Sequence, residues 1–422
     1  MEWALSALPV VLLMLGFPIF IILLSASAIV LIFFMNVPFT AVHQVMFGSV
    51  DKFALMAVPF FLFAGELMGV GGMSKRIIDF VMSLIGWVRG CLPLTTVGAN
   101  TIFGAVCGSS TAAVAAIGKL MYGPLREKYD EKMASSVICC AGAIDIIIPP
   151  SISMILYGAS AEQSVALLFI AGIFPGIIMS VAMASYVYGY AWVKKATDAR
   201  PFDPREVWRA TRAGIWALGM PGIILGGIYG GIFSPTEAAG VACVYAICVT
   251  LFIYRDITLK GIWNVAVGSM YLTAQVFIIV AAAGVFSWLL TVTGVPQRTV
   301  EILGHLAQNQ WEALLVINIF LLIVGCFIDP GSAILVLTPL LVPICKAYGI
   351  DLIHFGVVMT VNLAIGMFTP PFGLNIFVAQ ALFKTDLKVM YPGLVGFIIA
   401  SLVALGIITY VPWFSLYLTK FI

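Results

Sequence analysis

The chain has 422 residues, 62% of them hydrophobic and 9% charged, with a mean hydropathy of +1.12 and a formal net charge of +2. Soluble domains carry about 25% charged residues, so a soluble protein is excluded and an all-α polytopic membrane protein is expected, with on the order of ten to a dozen crossings at roughly 20 residues each. The small net charge gives no footing for a nucleic-acid partner and leaves the lipid bilayer as the surrounding phase.

In chain order, residues 5–34 form an apolar stretch without a small-residue cleavage site near its end, which reads as a first span rather than a signal peptide. Glu66, in "FLFAGELMGVGG", closes an apolar run and is expected at the membrane interface. The segment "TIFGAVCGSSTAAVAAIGKLMYG" is apolar enough to enter a bilayer but is interrupted at Gly108, so residues of about 92–126 read as a re-entrant hairpin. Small residues packing helix against helix would give a similar composition.

Next comes "AIDIIIPPSISM", within a stretch of about 134–162, carrying Asp145 and the pair Pro149 and Pro150. Successive prolines remove donors, clash with the preceding turn and end a helix. Backbone groups freed at membrane depth are costly unless protein, water or an ion satisfies them. A broken helix lining a cavity is therefore expected, beside the plainer possibility of a kink at the membrane edge.

Residues 194–212, "KKATDARPFDPREVWRATR", form the most polar connection, with six basic residues and three acidic ones. Such an excess places the linker in the cytoplasm. It separates two halves, 1–193 and 213–422. In "GGIFSPTEAAG", Ser234, Pro235 and Glu237 have the spacing of a helix N-cap, first residue and capping-box partner.

The second half repeats the punctuation of the first. "LLIVGCFIDPGSAILVLTPLLVP" reads as a second hairpin, about 312–345, with its tip at Asp329 to Ser332, and "IGMFTPPFGLN" breaks a helix of about 355–383 at Pro370 and Pro371. Pro149 follows Ser109 by 40 residues and Pro370 follows Gly331 by 39. The proline pairs stand 221 residues apart. This order points to an inverted repeat, with both termini outside the cytoplasm if each half crosses an odd number of times.

Four half-helix ends would present carbonyl oxygens, and Ser109, Ser110, Thr111, Ser332 and Thr369 would add hydroxyls, a donor set suited to a hard monovalent cation. Asp145 and Asp329 are carboxylates in apolar surroundings and so candidates for holding a cation, a proton or a cationic part of a substrate, or for capping a broken helix. The eight cysteines mostly occupy apolar stretches and read as small buried residues. His43, His305 and His354 are scattered, and no P-loop sequence occurs.

The segments "VPFFLFAGELM", "CGSSTAAVAAIG", "IIIPPS", "LFIAGIFPG", "GGIFSPTEAAGVACVYA" and "IGMFTPPFGLN" together resemble the DctM-like large membrane subunit of the TRAP (tripartite ATP-independent periplasmic) transporters. The resemblance covers nearly the whole chain. It implies an elevator-type secondary transporter of the bacterial inner membrane, not an enzyme, that takes up an organic acid with sodium ions. It also implies two partners, a separate small four-span membrane subunit and a periplasmic substrate-binding protein.

Carried over by residue, the resemblance implies one sodium site at Gly108, Ser109, Ser110, Ile148 and Pro149. The second would use Gly331, Ser332, Gly366, Thr369 and Pro370. Substrate would lie between the tips, near Thr111, Asp145, Pro150, Asp329, Pro371 and Asn375. Asp145 departs from the family pattern, which has glycine there. Two other readings use the same breaks: a channel filter, and an intramembrane enzyme with Asp145 and Asp329 as a pair.

Overall fold

A computed structural model describes residues 5, 7–35 and 37–421. The protein is an all-α polytopic membrane protein. Its first half contains α1 (Ala7–Met14), α2 (Ile19–Phe34), α3 (Phe39–Val50), α4 (Ala57–Val70), α5 (Met73–Ile85), α6 (Cys91–Cys107), α7 (Ser110–Lys128), α8 (Glu131–Ala141), α9 (Ile152–Ala161) and α10 (Val165–Val193). After the linker come α11 (Pro204–Tyr229), α12 (Pro235–Cys248), α13 (Leu259–Val292), α14 (Val295–Leu306), α15 (Gln310–Gly325), α16 (Pro330–Ala347), α17 (Leu352–Gly366), α18 (Leu374–Phe383) and α19 (Leu387–Tyr410). A short turn of helix, α20 (Trp413–Leu416), follows.

Six helices among the described residues are long and apolar enough to cross a membrane, or seven if the bent pair α14 and α15 is one span. This is fewer than the ten to a dozen expected. The reason is local: the Gly108 and Pro-Pro interruptions divide apolar runs into helices of 10 to 17 residues, such as α6, α9, α17 and α18. Large apolar side chains such as Phe33, Trp192, Trp263 and Ile399 are exposed, as the outer face of a lipid-embedded bundle requires.

The halves share an order of elements. Helices α5 to α10 begin at residues 73, 91, 110, 131, 152 and 165, and α14 to α19 at 295, 310, 330, 352, 374 and 387. Corresponding starts are thus 219 to 222 residues apart, matching the spacing of the proline pairs. Caps correspond too: the Asp130 side chain accepts from Met133 N, and Asp351 accepts from His354 N.

Helix α5 is too short to cross a bilayer and is two-faced. Met73, Ile77 and Val81 are buried at four-residue spacing, while Lys75 stays exposed and Arg76 pairs with Asp256 at 2.6 Å. That pattern suits an interface. Its counterpart α14 meets α15 at a bend of 113°.

Linker residues 204–212 are already helical. Asp203 accepts from Arg205 N, and Pro204 takes the first helical position, where its missing N–H costs nothing. The rest of the linker is pinned to the first hairpin. Buried Asp198 accepts from Gly90 N at 3.0 Å, Leu92 N at 3.2 Å and Tyr129 Oη at 2.7 Å, and Arg200 N donates to Gly86 O. Burial, and then this bond to Asp198, raise the Tyr129 phenol above its ordinary pKa.

Candidate functional site

Each region expected to form a hairpin contains two helices separated by a short break. In the first, α6 ends at Cys107, Gly108 adopts φ +61°, Ser109 is extended and α7 begins at Ser110. Only glycine takes the Gly108 conformation without strain, and a Cβ there would stand 2.4 Å from Pro150 O. The tip therefore rests directly on the first proline break. In the second, α15 ends at Gly325 and α16 starts at Pro330, so Ser332 lies within the helix rather than in the turn.

The second tip rests on its own break in the same manner. Gly373 N donates to Cys326 O at 3.2 Å, and the Phe327 and Phe372 rings are 5.4 Å apart. Both proline pairs carry a cis peptide bond. Thr369 Oγ1 donates to Ile365 O at 2.7 Å, and Tyr391 Oη donates to Pro371 O at 3.0 Å.

The halves also cross. Asn375 opens α18, just beyond the second proline pair, yet its Nδ2 donates to Ser110 Oγ at 2.7 Å and to Cys139 O at 2.9 Å. Ser110 Oγ in turn stands 3.0 Å from Asn375 Oδ1. Reciprocally, α16 packs on α9, and a Cβ at Gly331 would meet Leu156 at 3.2 Å. Each hairpin thus leans on the far half of the other's broken helix.

The two aspartates differ. Asp329 is the N-cap of α16, its Oδ2 accepting from Ser332 N at 2.9 Å, which is the capping role. It also borders a cavity of about 560 Å³ with Ser332, Gln275 and Phe372. Asp145 is fully buried, in a 3-10 turn after α8, and neither carboxylate oxygen has a hydrogen-bond partner. The two aspartates therefore share no hydrogen bond, and a paired-aspartate site has no geometric support.

Internal symmetry makes Asp145 stand out further. It abuts Gly104, where a Cβ would lie 2.8 Å from the Asp145 Cα. The corresponding contact in the second half is between Gly325 and Gly366, where a Cβ on Gly366 would lie 2.4 Å from the Gly325 carbonyl carbon. So where the second half brings two glycines back to back, the first half admits a carboxylate. A buried ionised carboxylate without partners costs several kcal/mol. Ser332 Oγ, at the second tip, is likewise buried without a partner.

The two tips carry hydroxyl and carbonyl oxygens with few charges, and Ser332 Oγ among them has no hydrogen-bond partner. No cluster of three or more His, Cys, Asp or Glu that could hold a metal ion occurs among the described residues. Ser109 Oγ and Thr111 Oγ1 are 3.4 Å apart at the mouth of the first tip.

Glu66 lies one turn before the end of α4. Half-buried on α4, it borders a cavity of about 170 Å³ with Cys107, Ser109 and Thr111. The close approach comes from Gly65, where a Cβ would lie 2.8 Å from the Cys107 Cα. Sequence pattern alone could not reveal this helix contact, although "GELMG" has small residues four apart. Glu237 matches its expectation, accepting from Ser234 N at 2.7 Å in a complete capping box.

Comparison with known proteins agrees with this architecture. Residues 7–414 match the family described as "Tripartite ATP-independent periplasmic transporter, DctM component". The chain is 40% identical to the C4-dicarboxylate TRAP transporter large permease protein DctM of Pseudomonas aeruginosa, over 89% of this chain and 88% of that one. It is 38% identical to the ectoine/5-hydroxyectoine large permease protein UehC of Ruegeria pomeroyi, over 97% of this chain and 96% of that one. Among solved structures it is similar in fold to the YdaH transporter of Alcanivorax borkumensis, with a TM-score of 0.61 at 12% identity over 98% of each chain. The chain belongs to the DctM family of TRAP transporter large permease subunits, membrane proteins that transport rather than catalyse.

Proposed function

We propose that this permease performs sodium-coupled uptake of an organic carboxylate across the bacterial inner membrane by an elevator movement. The observation that carries the reading is the pair of hairpin tips, each seated on a Pro-Pro break and each leaning on the other half. One sodium ion is held by Gly108, Ser109, Ser110 and the carbonyls at Ile148 and Pro149. A second is held by Gly331, Ser332, Gly366, Thr369 and Pro370. Thr111, Pro150, Pro371 and Asn375 border the substrate, with Asp329 fixing the second tip as a cap.

Binding energy from the ions favours the tip geometry that accepts substrate, a population shift between states. The helix N-termini at Ser110 and Pro330 favour an anionic group between them. Relatives named for C4-dicarboxylates and for ectoine support a carboxylate cargo delivered by a periplasmic binding protein, with a separate small membrane subunit as partner. Asp145 holds a cation where the second half has glycine. The basic linker supports a cytoplasmic placement for residues 194–212 and an outward one for both termini.

The test is the thermal midpoint of the purified chain in sodium, potassium and choline at equal ionic strength. A ligand that binds only the folded state raises apparent stability. Selective stabilisation by sodium that is lost in Thr369→Ala is expected. No preference among the three cations would refute sodium coupling.

A further inference from the structure

A second, larger cavity of about 830 Å³ adjoins the first tip, between α4, α5, α7 and α13, and is bordered by Glu66, Lys75, Lys119, Ser74 and Asn264. Glu66 and Ala112 also border the small cavity that contains Ser109 and Thr111, so the two spaces share one wall. On α7, Ala112, Ala115, Ala116 and Lys119 all border the larger cavity. Their spacing of three and four residues puts them on a single helix face. Alanine at three of these positions leaves the space open, and Lys119 supplies its charge.

None of the three charged residues has an ion pair or hydrogen bond, whereas nearby Arg76 is paired with Asp256. Two cations and one anion therefore face a single space with net positive charge. The cations lie farther along the path and the anion next to the hairpin tip. A concave surface lined by one excess sign concentrates ions of the opposite sign.

We infer that this cavity is an anion vestibule, in which Lys75 and Lys119 gather an organic carboxylate, and that Glu66 is the specificity-determining residue at its inner end. The inference rests on the transport reading above and names the path by which cargo reaches or leaves the first tip. Lys75 and Lys119 raise the local concentration of carboxylate. Glu66 sets a step of opposite sign between vestibule and tip, so that the anion passes it with a cation alongside.

The test does not require transport. Ala115→Cys is made in the full chain carrying Cys248→Ser, since Cys248 is the exposed thiol among the described cysteines. Its labelling rates in native membranes at low salt are measured with thiosulfonates of equal size bearing a sulfonate or a trimethylammonium group, relative to the same background without the added cysteine. A unit charge about 8 Å away shifts the relative rates of opposite-sign reagents roughly three- to fivefold. The sulfonate reagent is expected to be favoured, by a margin that falls by that factor in Lys119→Gln or Lys75→Gln and rises in Glu66→Gln. A rate ratio equal to that of a free thiol, unchanged by all three substitutions, would overturn the vestibule. In the complete reconstituted transporter, Lys119→Gln is expected to raise KM severalfold and leave kcat unchanged. An unchanged KM alongside the labelling effect would overturn the cargo role alone, and absence of uptake in the parent would instead count against the transport reading.

Discussion

The bond between Ser110 and Asn375 joins residues 265 apart in sequence, and its strength can be tested by a double-mutant cycle. Asn375→Ala removes the donor to both Ser110 Oγ and Cys139 O and leaves those buried groups without that partner. Stranding buried polar groups costs about 1–3 kcal/mol each, against about 1 kcal/mol for an ordinary bond lost at both ends. A destabilisation of about 2–4 kcal/mol is therefore expected for Asn375→Ala. Ser110→Ala leaves Asn375 Nδ2 bonded to Cys139 O but strands the buried Asn375 Oδ1, which accepts from Ser110 Oγ, and about 1–3 kcal/mol is expected. The double variant should be destabilised by about 1–2 kcal/mol less than the sum, because the second substitution removes a group that the first had stranded. The assay is reversible unfolding in mixed micelles, in sodium-free buffer so that ion binding does not enter. Additivity within about 0.5 kcal/mol would refute the argument that this pair locks the two halves together.

Other substitutions test separate contacts. Gly366→Ala is expected to destabilise the fold by about 2 kcal/mol or more, since its Cβ would meet backbone rather than a flexible side chain; Gly406→Ala, with nothing within 4 Å, should be neutral or stabilising by up to about 1 kcal/mol in the same unfolding assay. Asp145→Gly gives the first half the residue that the second has at Gly366, and should fold while changing the cation dependence of the thermal midpoint; an unchanged dependence would dismiss an ion role. The raised pKa of the Tyr129 phenol makes the unfolded chain lose that proton first as pH climbs past about 10. The stability linked to this group is present below that value and is lost above it as pH rises toward the folded pKa, so Tyr129→Phe should flatten the alkaline limb of a stability–pH curve.

The breaks were legible because proline and glycine act on their own neighbours. The paired prolines at 149–150 and 370–371 and Gly108 interrupt helix where single prolines such as Pro175 and Pro392 do not, and the Ser234–Glu237 box is complete within four residues. The number of crossings was less legible, since composition does not distinguish a long span from two short helices meeting at a break. Asn375 could be placed beside its proline pair, but nothing local says that it reaches Ser110. The neighbours of Glu66 were illegible for a related reason: they include Cys107 and Ser109 at the first tip, brought close by the missing side chain of Gly65.

The crossing of the hairpins bears on how such a chain could arise. A polypeptide equal to one half would have a hairpin arm with no α9 or α18 to lean on, and a broken helix with one flank bare. Two copies inserted in opposite senses would complete each other, because the contact needed by each is the one that the other offers. Duplication and fusion through a loop such as residues 194–203 would then join partners already matched. Co-expression of the two halves as separate chains should accordingly yield an assembled pair, whereas either half alone should be degraded.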